Sequence, residues 1–434
     1  MNGNVFDNNE EHPIAIVGGG LGGLALAIGL IKHGIHVHIY ESTATFSEIG
    51  AGVAFGINSI TALHKIDPKL LEGYKKHATF NADCGRASTF MSFRWGMDGK
   101  KHKHQAGDMM WNLNDIWQPE RAQALGVKTR SCIHRARLLD VLVALLPANI
   151  TSFKKSFVGA EERVDGSLEL RFADGTTAIA SALIGCDGIK SKVRQLVCGP
   201  DIHATYTGEV AYRALVPRAD AEKALGAELA FNGTLYCGYG GYIVTYPVEN
   251  CDFVNMVAIP HDQGEGWSWS QDEWTVPAST DEIRQRFKGW YKPLVDIICD
   301  YSLPSKWALF DLQHDAPYYK GNTCLLGDSA HATTPHLGAG AGMAMEDAYL
   351  HSSLIASVGD VAQIENAFRA YDAVRRPRTQ ECIERSRSAA IAMDFLTPEF
   401  AENTDTLKQM METSYGWLWH EDLDLQLSEA KKSL

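Results

Sequence analysis

Ile14-Ala15-Ile16-Val17-Gly18-Gly19-Gly20-Leu21-Gly22-Gly23, near the start of the chain, joins an apolar run to a cluster of glycines. The apolar run is of strand type. The glycines satisfy G-x-G-x-x-G at Gly18, Gly20 and Gly23. Leu24 to His33 follow with helical composition, and Gly34 stands where a helix ends. Ile35 to Tyr40 alternate into a second strand that ends at Glu41. This spacing fits a βαβ dinucleotide-binding unit, in which each glycine has its own task. Gly18 permits the tight turn, Gly20 lets the backbone approach a pyrophosphate, and Gly23 lets the helix lie close to the sheet. The helix N-terminus offers unbonded N–H groups and a partial positive charge to phosphates. Glu41 is placed to accept two hydrogen bonds from a ribose diol, which favours FAD or NAD over a 2′-phosphorylated nucleotide.

Pro13 to Ile31 is uncharged and close in length to a membrane span. Its glycines weaken a spanning helix, and strand, turn and helix account for it better. Composition agrees with a globular chain: 434 residues, 45% hydrophobic and 21% charged, enough for two or three domains. Asp plus Glu total 53 against 40 Lys plus Arg, a net charge of −13. With no long basic run, this excludes nucleic acid and anionic membrane surfaces as natural partners. Small anionic ligands need only local basic pockets. The nine cysteines are scattered singly, without a CxxC pair. Neither a zinc ribbon nor a disulfide framework is expected, and reduced thiols point to the cytoplasm. The polar, acidic opening MNGNVFDNNEE fits neither a secretory nor a transit signal. No metal is expected, because the histidines show no convergent ligand spacing. Lys100 to His104 reads as a solvated loop.

Two further motifs follow. Leu183-Ile184-Gly185-Cys186-Asp187-Gly188 is a strand running into a turn and a helix start. Thr323-Cys324-Leu325-Leu326-Gly327-Asp328-Ser329-Ala330-His331 is again a strand ending in Gly-Asp. The segment Thr334 to Ala348 continues it as a glycine- and alanine-rich turn feeding a helix, a second anion-friendly N-terminus. Asp328 stands where it accepts from a ribityl or ribose hydroxyl; Asp187 and Asp328 are also ordinary cap or turn residues when taken singly.

Taken together, GGGLGG with Glu41, GCDGIKSKVR, and GDSAHATTPHLGAGAGMAMEDA resemble the single-component FAD-dependent aromatic hydroxylases, the para-hydroxybenzoate hydroxylase superfamily. The resemblance spans almost the whole chain. Glu48 to Ser59, His134 to Leu142, Val210 to Val216, Tyr371 to Gln380 and the tail YGWLWHEDLDLQLSEA place it nearest the salicylate hydroxylase and fungal polyketide hydroxylase branch. The fold implied is α/β: a Rossmann-like FAD-binding domain, a β-sheet substrate domain and C-terminal helices. The FAD domain is expected from residues 1–75, 105–200 and 305–395, the substrate domain from 76–104 and 201–304, and a helical segment from 396–434. Asp405 to Leu434 reads as one closing amphipathic helix, and Gly264 to Ser279 as an exposed loop.

The resemblance implies bound FAD, with NADH or NADPH as a transient co-substrate, O2, and a small aromatic substrate, in a monomer or homodimer. Glu41 would hold the adenosine ribose and Arg135 the pyrophosphate or ribityl side, although Arg135 is also readable as a surface helix arginine. Ala54 would lie by its backbone near the flavin, Asp187 in the second motif near the cofactor, and Asp328 by the ribityl or pyrophosphate region. Gly338, Gly340 and Ala341 would pass the isoalloxazine edge. In the family, a flavin C4a-hydroperoxide delivers an electrophilic oxygen to a phenolate ring. The matching phenolate anchors are Arg213 and Tyr246, with sheet salt bridge and sheet aromatic as their ordinary alternatives. His336, in PHLG, would assist proton transfer, hold substrate, or be purely structural. Three outcomes remain open: decarboxylative hydroxylation, dearomatisation, or simple hydroxylation. The tail favours a salicylate-like, decarboxylative reaction, whereas the Tyr of Thr245-Tyr246-Pro247-Val248 keeps a methylated, orsellinate-type phenol in play. A non-hydroxylating FAD oxidoreductase and a non-enzymatic nucleotide-binding protein are the competing classes. The halogenase form of the former lacks its WxWxIP motif here, since the segment reads Trp267-Ser268-Trp269-Ser270.

Overall fold

The computed structural model describes residues 12–46, 52–86, 88–99, 104–114, 119–127, 131–261 and 273–434. Ile14–Val17 lies inside a six-stranded sheet, hydrogen-bonded in parallel to Ala182–Gly185 on one side and Val37–Tyr40 on the other. Thr323–Leu325 extends the sheet beyond Ala182–Gly185, and Thr151–Ser152 closes the far edge. Ile14, Ala15 and Ile16 are fully buried, the continuous apolar signature of a parallel strand covered on both faces. The helix begins at Leu21 and runs to Lys32, slightly earlier than its composition marks. Gly18 has φ +108°, and a Cβ there would meet the Cys186 carbonyl oxygen at 2.3 Å. A Cβ at Gly23 would meet the Gly18 carbonyl oxygen at 2.2 Å. Both glycines are therefore demanded by backbone packed on backbone.

An eight-stranded sheet forms the second layer, with Thr205–Pro217, Phe253–Pro260 and Gly241–Val248 adjacent at its centre. Period-two alternation divides its residues between two faces. Tyr212, Ala214, Ile243, Met256 and Ala258 pack with Ala221, Ile283, Leu294 and Ile298 from helices on one side. Arg213, Tyr242, Tyr246 and Val257 point the other way. Thr275–Pro277, inside the segment read as a loop, is an edge strand paired with Ser302–Asp311. Residues 264–272 of that segment lie outside the described residues, as do 48–51 of the Glu48 to Ser59 motif and 100–103 of the basic run.

The chain ends in helices. Ile364–Met393 is followed by Thr404–Trp419 and Leu423–Lys431, so the single closing helix expected over Asp405 to Leu434 is two. The break has a local cause: the Asp422 carboxylate accepts from the amides of Asp424 and Leu425 and starts a new helix. Among the described residues, no helix is long and apolar enough to cross a membrane, and the eight described cysteines are free thiols.

A buried ion network ties these helices to the third motif. Glu346 and Asp347, from Gly340–Val358, are paired with Arg375 at 2.8 and 2.7 Å. Arg378 adds a second guanidinium to Glu346 at 2.8 Å, and His331 lies 2.6 Å from Asp347. Asp347 also accepts from the Gly327 amide, so the network holds the turn that presents Asp328.

Candidate active site

A cavity of about 380 Å³ lies between the two sheets. Gly20 and Gly22 of the first motif, Asp328 of the third, and Gly338, Gly340 and Ala341 line its cofactor-like end. Ala54 and Arg135 also reach its wall. Two helix N-termini open here: Leu21–Lys32 starts at Gly20 and Gly340–Val358 at Ala339, and neither has a side-chain cap. Their first amides are left to whatever occupies the cavity, which suits anionic groups. The Asp328 side chain is exposed into this space, while Arg135 occupies the first turn of Arg135–Ala144.

Four of the expected residues are not on the cavity wall. Gly18 and Gly23 act in packing, as above. Asp187 accepts from the Ser191 hydroxyl at 2.5 Å and from the amides of Lys192 and Val193 at 2.7 and 3.2 Å. Those contacts are a turn and helix cap, and its neighbours Cys186 and Gly188 reach the cavity instead. Glu41 accepts from the Gly19 amide at 2.7 Å and from the Thr43 amide at 2.8 Å. Burial pushes its carboxyl up, but the Thr43 and Gly19 donors outweigh this and hold it below the usual carboxylate range. Its ionised oxygens thus shape the glycine turn. Glu41→Gln is expected to weaken FAD retention about tenfold through a distorted turn and a lost charge. Flavin content after dialysis measures this, and unchanged retention contradicts it.

The sheet supplies the other end. Tyr242, Val244 and Tyr246 line the cavity from one strand, Ala211 and Arg213 from the next but one, and Asn255, Val257 and Ile259 from the strand between. The Arg213 guanidinium lies 4.7 Å over the Trp307 ring and makes no hydrogen bond to any described residue; its Nε is buried without a partner. Burial lowers its affinity for its proton, the neighbouring Tyr246 raises it, and Arg135 lowers it. The Tyr246 hydroxyl donates to the Gly52 carbonyl at 3.0 Å, linking the sheet to Gly52–Phe55. His336 is buried, with Nδ1 3.0 Å from the Tyr242 hydroxyl and Nε2 3.0 Å from Glu209 Oε2. The second contact is close but bent away from hydrogen-bond alignment.

Sequence reading missed Tyr242, although it shares a face with Tyr246 by simple alternation. It also missed Glu209, which no motif marks, and Tyr415, which the tail helix Thr404–Trp419 brings to the cavity wall.

A βαβ glycine turn, two uncapped helix ends and a partly apolar chamber with a cationic wall on one cavity define a dinucleotide-dependent enzyme. Residues 148–386 match the FAD binding domain family. The chain is 36% identical to a 6-methylsalicylate 1-monooxygenase of Aspergillus terreus, over 96% of this chain and 91% of that one. It is 33% identical to a salicylate hydroxylase of Pseudomonas putida, covering 97% and 95% respectively. The solved structure of a salicylate hydroxylase substrate complex superposes with a TM-score of 0.82 at 31% identity, over 96% of this chain and 98% of that one. The protein belongs to the FAD-dependent aromatic monooxygenases of the salicylate hydroxylase type, and FAD is its bound cofactor. The uncapped helix ends and glycine-lined wall fit that cofactor, since a dinucleotide needs bare backbone amides at its phosphates.

Proposed function

We propose that the protein uses NADH or NADPH and O2 to hydroxylate a 2-hydroxybenzoate at its carboxyl-bearing carbon, releasing carbon dioxide. The observation that carries this reading is Arg213: a partly buried guanidinium, facing the cavity with no anionic partner among the described residues. Such a charge is costly to bury unless a ligand brings the counter-charge. A 2-hydroxybenzoate brings a carboxylate beside a phenol oxygen, and the relatives named for salicylate and 6-methylsalicylate support that class.

When bound, FAD would supply the redox and oxygen-transfer chemistry, with the pyridine nucleotide as two-electron reductant and water taking the second oxygen atom. The residues do the rest. The helix end at Gly20 and Gly22 would hold the pyrophosphate, Glu41 the adenosine ribose, and Arg135 and Asp328 the ribityl region. The backbone at Ala54 and the amides at Gly338, Gly340 and Ala341 would flank the ring system. Stacking on Trp307 sets the plane of the Arg213 fork, which orients a planar anion. Arg213 thereby stabilises the phenolate, the electron-rich form of the ring. Tyr246 would add its hydroxyl by turning from Gly52. Met91, Leu235, Val244, Val257 and Ile259 form an apolar wall that excludes water.

A panel of 2-hydroxybenzoates and methylated resorcylic acids tests the reading. NAD(P)H oxidation should accelerate with salicylate-like acids, with stoichiometric carbon dioxide and a product lacking the carboxyl group. A product that keeps its carboxylate, or no acceleration by any 2-hydroxybenzoate, rejects it.

A further inference from the structure

Behind the cavity wall lies a second group of acids that the reaction above does not use. Glu209, on Thr205–Pro217, is 3% exposed, and its Oε1 is buried without a hydrogen-bond partner. Asp394, at the end of Ile364–Met393, is fully buried, and neither side-chain oxygen has a partner. His261 approaches Asp394 Oδ2 with Nδ1 at 4.0 Å and is the most exposed of the three. One oxygen or nitrogen from each of Glu209, His261 and Asp394 falls within 4.8 Å of the others. Backbone contacts hold the group: Glu209 bridges His261, the Gly240 amide donates to the Asp394 carbonyl, and the His261 amide to the Gly240 carbonyl.

We propose that Glu209 and Asp394 together carry a single proton, leaving one negative charge that faces His336 and favours its orientation at the cavity. Two carboxylates this close and this buried do not both ionise without a cation between them. Among the described residues no lysine or arginine influences Asp394, and the bases that approach the two acids are the imidazoles of His261 and His336. The charge settles on Glu209, which has His336 Nε2 at 3.0 Å, while Asp394 remains the neutral acid. Burial and the nearby Glu209 both push the Asp394 carboxyl well above its usual range. The Glu209 charge, 3.0 Å from Nε2 although not aligned as a hydrogen bond, favours the tautomer with its proton on Nε2, and Nδ1 then accepts from the Tyr242 hydroxyl. Both ring nitrogens then face protein groups. His336 is thereby a positioning residue, and the Tyr242 hydroxyl is held by it. Asp394, Tyr415 and Cys237 also face Tyr242. This deepens the proposed reading of the cavity, but the shared proton is tested without turnover.

Infrared spectra of the holoenzyme in H2O and D2O should show a protonated carboxyl band at neutral pH, absent from Asp394→Asn. Asp394 has a raised folded-state pKa, so its stabilisation is full below the ordinary aspartate range and is lost as pH rises through the folded value. Asp394→Asn should therefore gain thermal stability relative to the parent as pH is raised. Glu209→Gln, which keeps the shape and removes the charge, should lower kcat about tenfold and displace its pH profile. A missing carboxyl band in the parent protein overturns the proposal and needs no variant to fold. One equivalent of zinc or manganese in the purified holoenzyme, lost with Asp394→Asn, overturns it too by making the group a metal site. An unchanged kcat profile in Glu209→Gln removes the orienting role.

Discussion

Arg213→Ala should lower kcat/KM by roughly 30-fold to several thousandfold, the range for deleting one partner of a desolvated charge pair at about 2–5 kcal/mol. The protein should keep its FAD, because Arg213 stands on the large sheet, away from the glycine turn and the uncapped helix ends. The loss has two sources: the ligand anion forfeits the guanidinium fork over Trp307, and it must still shed its water on entry. Arg213→Lys should recover part of the activity. It keeps a charge but loses the planar donor set and the stacking. Steady-state kinetics alongside flavin absorbance separate the effects. Normal turnover in Arg213→Ala removes the anchor, and a colourless variant makes Arg213 a cofactor residue.

Arg375→Ala should destabilise the protein by about 3–5 kcal/mol, the cost of stranding buried partners of an ion pair. The Arg375 side chain is fully buried and donates to Glu346, Asp347, Gln426 and the Met343 carbonyl. Its removal leaves Glu346 with Arg378 and Asp347 with His331, each short of a cation. Asp347 also accepts from the Gly327 amide, so FAD binding should weaken together with stability. The effect depends on pH with a definite sign. Burial raises the Glu346 carboxyl, but the Arg378 and Arg375 charges outweigh it and hold it at about 2, against an ordinary 4.5. A depressed carboxyl stabilises the fold above its unfolded pKa, and the benefit disappears as pH falls through the folded value. The gap between parent and variant should thus be widest near neutrality and narrow below about pH 4. Thermal melts across that range measure it. A gap that stays constant with pH assigns the loss to packing alone.

Local signals made much of the site legible. The turn from Val17 to Gly23, the Gly-Asp turn at Asp328 and the glycine-rich start of Gly340–Val358 depend on neighbours in sequence, and all three reach one cavity or its support. Tyr242 was equally legible, since it is two pairs of residues before Tyr246 on the same strand face. The break at Asp422 carried its own capping residue. Asp187 shows the limit of motif reading: its neighbours line the cavity, while its carboxylate caps the turn that follows.

The order of amino acids by itself determined the α/β class, the FAD cofactor and the membership in the aromatic monooxygenases, because glycine turns and strand periods are properties of neighbouring residues. It also supplied Arg213 as a candidate. Only the tertiary structure decided that Arg213 lacks an anion among the described residues, that the tail contributes Tyr415 to the cavity, and that Glu209, His261 and Asp394 meet behind His336. Those facts depend on burial and on contacts between distant segments. Burial sets whether a carboxyl or guanidinium keeps its charge, and it exists only once the chain has packed.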